Sequence, residues 1–151
     1  MGVFSASLFL KEISNYFRTF STTIGPDGVD GNGLYANYSA NQTLNVGSAR
    51  IRGFELGYQQ QFSFLPGFWK GFGVFGNYSY TSTMGNFGTL AVSRRLPLLT
   101  PRNINAGFSY VNHGWQVRAM ANWRGEVYAG TAQGVEYYRD ERLILDLKLQ
   151  Y

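Results

Sequence analysis

Hydrophobic and polar side chains alternate with period two through six segments of the chain, residues 3–11, 48–62, 69–82, 102–111, 115–128 and 141–151. The third is the clearest. Phe72, Val74, Gly76, Tyr78 and Tyr80 fall on one side, and Gly73, Phe75, Asn77, Ser79 and Thr81 on the other. In the fifth, Trp115, Val117, Ala119, Ala121 and Trp123 oppose Gln116, Arg118, Met120, Asn122 and Arg124. The fourth sets Ile104, Ala106, Phe108 and Tyr110 against Asn103, Asn105 and Ser109, and the sixth sets Leu143, Leu145, Leu147, Leu149 and Tyr151 against Ile144, Asp146, Lys148 and Gln150. Successive side chains of a strand point to opposite faces, so each segment predicts a strand with one apolar and one polar face.

The connections fall into two classes. Leu65-Pro66-Gly67 and Asn112-His113-Gly114 are short turn signals, whereas residues 12–47, 83–101 and 129–140 form long connections rich in Gly, Asn, Ser, Thr and Asp. In a meander this places the short turns on one rim and the long loops on the other, the arrangement of outer-membrane barrels. Aromatic residues gather toward both rims: Phe62, Trp69, Phe72, Tyr110, Trp115 and Tyr151 near the short turns, and Phe54, Tyr78, Tyr80, Trp123 and Tyr128 toward the loops. Small and aliphatic residues lie between them, as in a wall with two interfacial girdles. The predicted fold is all-β: an antiparallel meander of about six amphipathic transmembrane strands, part of a larger outer-membrane β-barrel.

Composition sharpens that picture. Aromatic residues make up 17% of the 151, with 19 glycines and only 4 prolines, which suits strands joined by turns. No stretch of 18 apolar residues exists for a spanning helix, but alternating strands cross a bilayer at near-neutral hydropathy, and the mean is -0.20. The net charge of +4 is scattered and forms no basic block. With no cysteine there is neither a disulfide framework nor a thiolate metal site. Met1-Gly2-Val3-Phe4-Ser5 does not open a secretory signal, so an exported chain of this sequence is expected to be mature or a fragment. About eight strands are the fewest that close a membrane barrel, so further strands are expected beyond these six.

The apolar parity supplies a lipid-facing girdle of Phe62, Phe72, Tyr78, Tyr80, Trp115 and Trp123, and the polar parity the candidate lumen-facing residues Glu55, Asn77, Arg118, Arg124, Asp146 and Lys148. For the charged members, ion pairing across adjacent strands is the plainer expectation beside direct solute contact. Arg94 and Arg95 in a long loop could meet an anionic ligand or lipopolysaccharide, though a merely solvated loop is the plainer expectation. Gly71-Phe72-Gly73-Val74-Phe75-Gly76 spells the dinucleotide signature, but it lies inside a strand pattern instead of opening a helix. Asp27, Asp30 and Asn32 suggest a calcium loop; counted from Asp30, the sixth position is Tyr35 and the twelfth Asn41, so the EF-hand spacing fails and a flexible loop is expected. His113, the single histidine, sits in a turn. No catalytic dyad, metal cluster or cofactor site can be nominated, and enzymatic activity is not expected.

The run Ala49-Arg50-Ile51-Arg52-Gly53-Phe54-Glu55-Leu56, then Leu65-Pro66-Gly67, then Gly71 through Thr81, resembles the late barrel strands of TonB-dependent receptors. Leu96-Pro97-Leu98, Pro101-Arg102-Asn103, Gly114 through Arg118, Asn122 through Glu126 and Leu143 through Tyr151 continue the resemblance in the same order, over nearly the whole chain. The resemblance implies a partial receptor barrel domain over residues 1–151, without plug, signal peptide or closing strands, from a parent of about 22 strands in a Gram-negative outer membrane. It implies import of a siderophore, cobalamin or carbohydrate. The implied partners are outer-membrane lipid, the plug and remaining barrel strands of the parent chain, and the TonB complex through an N-terminal region. Nucleic acid is not among them. The alternative is a small autonomous soluble β-barrel or β-sandwich, an OB-like nucleic-acid binder or an adhesin, whose basic residues should share a face with its aromatics.

Overall fold

The computed structural model describes residues 2–86, 95–132 and 135–151. Strands β1 (Gly2–Thr23), β2 (Ser39–Gln61), β3 (Phe72–Asn86), β4 (Arg102–Asn112), β5 (Trp115–Arg124) and β8 (Arg142–Gln150) form one antiparallel sheet in that order. A separate hairpin, β6 (Val127–Ala132) with β7 (Val135–Arg139), is inserted between β5 and β8. The fold is thus the predicted all-β antiparallel meander, with β1 and β8 as its edges.

Turn chemistry sets the register on the short side. His113 and Gly114 take positive φ values of 48° and 85°, the two-residue hairpin geometry whose twist matches the flanking strands, and pair Asn112 with Trp115. The connection from β2 to β3 is longer than a tight turn: Gly67–Gly71 winds into a short 3-10 helix, so β3 begins at Phe72 and not at residue 69. Trp69 therefore lies off the strand, its ring edge-to-face with Phe68 and tilted over Phe72.

The long-loop side departs most from expectation. β1 and β2 continue as a paired ladder to Thr23 and from Ser39, so of the expected loop 12–47 only residues 24–38 connect them. One face of those extra rungs is polar: the Thr19 and Thr43 hydroxyls are 2.8 Å apart, and Ser21 Oγ donates to Asn41 Oδ1 at 2.6 Å, while the other face mixes Thr22 and Gln42 with Phe20, Leu44 and Ala40. A ladder whose faces are polar on one side and mixed on the other keeps its backbone hydrogen bonds but loses the apolar alternation that marks a strand in sequence. A register shift between Ile13 and Tyr16, with Asn15 at φ 59°, separates the two parts. The fifth segment ends at Arg124 instead of 128, and its last two residues with most of the predicted loop 129–140 belong to the β6–β7 hairpin.

The sheet carries almost no core of its own. Among the described residues the buried apolar ones are Ala49, Leu96, Val127 and Tyr128, all toward the long-loop rim. Leu96 packs with Ala49 against Ile13, Phe20 and Ile51, while Leu98 N–H donates to Tyr128 O at 2.8 Å and ties the 95–101 segment to β6. Elsewhere large apolar side chains stand open: Leu8 is 88% exposed and Leu147 76%, far from what a solvated sheet can leave uncovered along a whole face.

Candidate functional site

The register builds two chemically opposite faces. On the apolar face, rungs run Phe72–Tyr110, Val74–Phe108, Gly76–Ala106 and Tyr78–Ile104 between β3 and β4, then Tyr110–Val117, Phe108–Ala119, Ala106–Ala121 and Ile104–Trp123 between β4 and β5. β5 hands the same parity to Leu149, Leu147, Leu145 and Leu143. On the other side of β3, Tyr80 pairs with Phe54, Tyr78 with Leu56 and Gly76 with Tyr58, and β1 adds Leu8, Ala6 and Phe4.

Aromatic rings end this face at both rims. At the short-turn rim Phe72 lies 4.6 Å from Tyr110, Phe68 4.7 Å from Tyr110, and Trp115 4.8 Å from Tyr151, ring centre to ring centre. Phe62 joins them, its N–H donating to Phe72 O at 2.8 Å. Toward the loop rim Phe54 contacts Tyr78 and Tyr80, both at 5.7 Å, and Trp123 stands opposite Ile104. The six girdle candidates, Phe62, Phe72, Tyr78, Tyr80, Trp115 and Trp123, therefore share one face and fall into two bands. Tyr128 does not join them; it is buried beneath the loop rim and packs on Tyr138 at 5.6 Å.

The polar face is ordered in rows as well. One row holds Glu55, Ser79, Asn103, Arg124 and Arg142; the next, nearer the short turns, holds Asn77, Asn105 and Asn122. Asn122 Nδ2 donates to Asn105 Oδ1. Below them come Phe75, Gly107, Met120 and Asp146, then Gly73, Ser109, Arg118 and Lys148. Glycine at 107 makes room for Phe75: a side chain there would overlap the Phe75 ring and the Ala119 carbonyl oxygen. The Arg118 guanidinium lies 5.0 Å above the Phe75 ring, within cation–π range.

All six expected members of this face, Glu55, Asn77, Arg118, Arg124, Asp146 and Lys148, thus share it. Cross-strand ion pairing does not account for the charges. Arg118 stands opposite Lys148, Arg124 opposite Arg142, and Asp146 opposite Met120, while Glu55 accepts only a long 3.5 Å hydrogen bond from Ser7. Arg124 Nε is buried with no partner among the described residues. The ion pair found among those residues, Arg50 to Glu12 at 2.7 Å, lies on the apolar parity beyond the loop-side aromatics. The strand alternation shows each residue's face but not its cross-strand neighbour, and the neighbour decides pairing.

The remaining motifs resolve simply. Gly71 closes the 3-10 turn and Gly73 and Gly76 lie in β3, where no helix follows to receive a phosphate. Asp30 Oδ1 accepts the backbone N–H groups of Asn32 at 2.9 Å and Leu34 at 3.0 Å, which hold its carboxyl below the ordinary aspartate range. The acidic loop is therefore held by internal backbone hydrogen bonds, and no metal-binding cluster occurs among the described residues. Arg95 is exposed, and Arg94 lies outside the described residues. Sequence reasoning missed the β6–β7 cap; its signal was the pair of β-branched and aromatic runs, Val127-Tyr128 and Val135 to Tyr138, around Gln133-Gly134.

Compared with known proteins, the chain matches, over residues 1–151, the family model described as TonB dependent receptor-like, beta-barrel. Neither the curated proteins nor the solved structures contain a match.

Proposed function

We propose, since this chain belongs to the TonB-dependent receptor-like β-barrel family, that its sheet is a stretch of receptor wall through which a solute enters the cell. The family is one of outer-membrane receptors and transporters of Gram-negative bacteria. In this reading Phe62, Phe72, Tyr78, Tyr80, Trp115 and Trp123 meet lipid at two depths, and Glu55, Asn77, Arg118, Arg124, Asp146 and Lys148 line the lumen. The parent chain contributes the remaining strands, the plug and the segment that engages TonB.

The observation that carries this reading is the coexistence, on one six-stranded sheet, of a charge-free band between two aromatic rows and an opposite face of amides, hydroxyls and charges. In lipid the first face loses nothing by exposure, and a wet lumen satisfies the second. The free edges of β1 and β8 require partner strands for the same reason, because unpaired backbone groups cost several kcal/mol each in hydrocarbon. Among siderophore, cobalamin and carbohydrate, the like-charged neighbours Arg118–Lys148 and Arg124–Arg142 favour an anionic metal chelate, since an anion relieves the repulsion between cations set directly opposite. A nucleic-acid groove is disfavoured because the aromatic bands and the cations Arg118, Arg124 and Lys148 lie on opposite faces, Phe75 excepted.

The test is uptake by cells whose intact receptor carries Arg124→Gln and Arg142→Gln together, with radiolabelled ferric chelates, cobalamin and oligosaccharides offered in turn. Loss of energy-dependent uptake of an anionic chelate alone supports the assignment. Unchanged uptake of every solute removes these arginines from the path.

A further inference from the structure

The outward, apolar face holds a feature that a plain lipid boundary does not require. Between the loop-side aromatics lies a recess of about 510 Å³ lined by Phe54, Tyr78, Tyr80, Arg102, Ile104 and Trp123. Five of these six supply an apolar or aromatic wall. The sixth, Arg102, stands opposite Tyr80 at the loop side of the recess. One rung beyond Phe54 on β2 comes Arg52, opposite Ser82, and one rung further Arg50, opposite Met84.

Charge separates these arginines. Arg50 is neutralised by Glu12 at 2.7 Å. Arg52 and Arg102 are exposed and have no carboxylate partner among the described residues. Below the recess, the same parity carries no charged residue down to Tyr110 and Trp115. Two unpaired guanidiniums therefore sit where the apolar band ends, directly above an aromatic recess.

We propose that this recess and its two arginines form a binding site for a phosphorylated glycolipid of the outward leaflet. An acyl chain would lie against Tyr78, Ile104 and Trp123, while Arg102 and Arg52 would take the phosphate groups. Guanidinium binds phosphate oxygens through charge-assisted, often bidentate hydrogen bonds, and a phosphate monoester carries no compensating amine, unlike a zwitterionic headgroup. The inference rests on the reading of this sheet as outer-membrane wall, with the long-loop rim outward.

The experiment uses the complete receptor, extracted from outer membranes into a neutral detergent and titrated with lipid A while bound lipid is followed by native mass spectrometry. Parallel titrations use lipid A stripped of its phosphates and phosphatidylglycerol. With roughly fivefold in affinity for each interfacial arginine, Arg52→Gln with Arg102→Gln should weaken lipid A binding by about 30-fold. Arg52→Lys with Arg102→Lys should keep most of the binding, which separates lost charge from misfolding. The parent protein should prefer lipid A over both comparison lipids. Equal retention of lipid A by the glutamine variant, or of phosphate-free lipid A or phosphatidylglycerol by the parent, overturns the site. Absence of the receptor from outer-membrane fractions would instead overturn the wall reading, and this site with it.

Discussion

From Gly2 to Lys11, β1 presents Phe4, Leu8 and Leu10 on one face and Ser5 and Ser7 on the other; from Phe17 to Thr23 the same strand, paired with the same neighbour, carries Thr19 and Ser21 on one face and Phe20 and Thr22 on the other. The backbone ladder hardly distinguishes the two regions. Their side chains do, because the first keeps one apolar face along its length, whereas the second has a face of bonded hydroxyls and amides and, opposite it, a mixed face where Phe20 packs on Ala49 and Leu96. Alternation along a strand therefore reports the medium around it, and hydrogen bonding can run on well past the point where alternation stops.

The comparison can be broken most sharply with one charge. Ala121 lies in the middle of the apolar band, opposite Ala106 and Leu145, whereas Thr43 lies in the polar extension opposite Thr19. Ala121→Arg should destabilise the receptor in a bilayer by about 2–4 kcal/mol. Thr43→Arg should change stability by no more than about 0.5 kcal/mol. Urea titration of the lipid-embedded protein measures both, and equal effects would erase the distinction between the regions.

A smaller effect tests the inner face. Gly107→Ala pushes a methyl into the Phe75 ring and the Ala119 carbonyl, at an expected cost of about 1–3 kcal/mol. Combining it with Phe75→Ala should recover part of the loss, leaving the backbone overlap. Strict additivity of the two substitutions in the same titration would show that ring and glycine are not coupled.

These regions also explain what was legible in the sequence. Strands β3, β4, β5 and β8 were readable because one side of each meets an apolar medium, and the two aromatic bands followed from parity alone. The polar extension of β1 and β2 was not, since Thr19, Ser21, Asn41 and Thr43 pattern like a loop. Nor was the β6–β7 hairpin, where Val127 continues the apolar parity of β5 across Gly125 but pairs with Arg139. Of the candidate site, the face of each residue was legible and its partners were not. That Arg118 meets Lys148 and Phe75 depends on the register across four strands.

The smallest expected effect lies at the tip of the polar extension. Asp30 accepts two backbone N–H groups, so its carboxyl titrates below the ordinary aspartate range and the turn is fully held above that range. As pH falls through the depressed value the carboxylate is protonated and that stabilisation is lost. Amide exchange at Asn32 and Leu34 should accelerate there, and Asp30→Ala should accelerate it at neutral pH while leaving β3 to β5 unchanged. Exchange that ignores both pH and the substitution would mean the backbone bonds hold the turn alone.

The central claim is that one parity of this sheet faces lipid. The chain has no cysteine, so single cysteines can be placed in turn at positions 116–123 of β5 within the complete receptor, coupled to a fluorophore and reconstituted with a quencher dissolved in the acyl region. The account predicts strong quenching at 117, 119, 121 and 123 and weak quenching at 116, 118, 120 and 122. Quenching that is uniform, or strongest at the even positions, would contradict it.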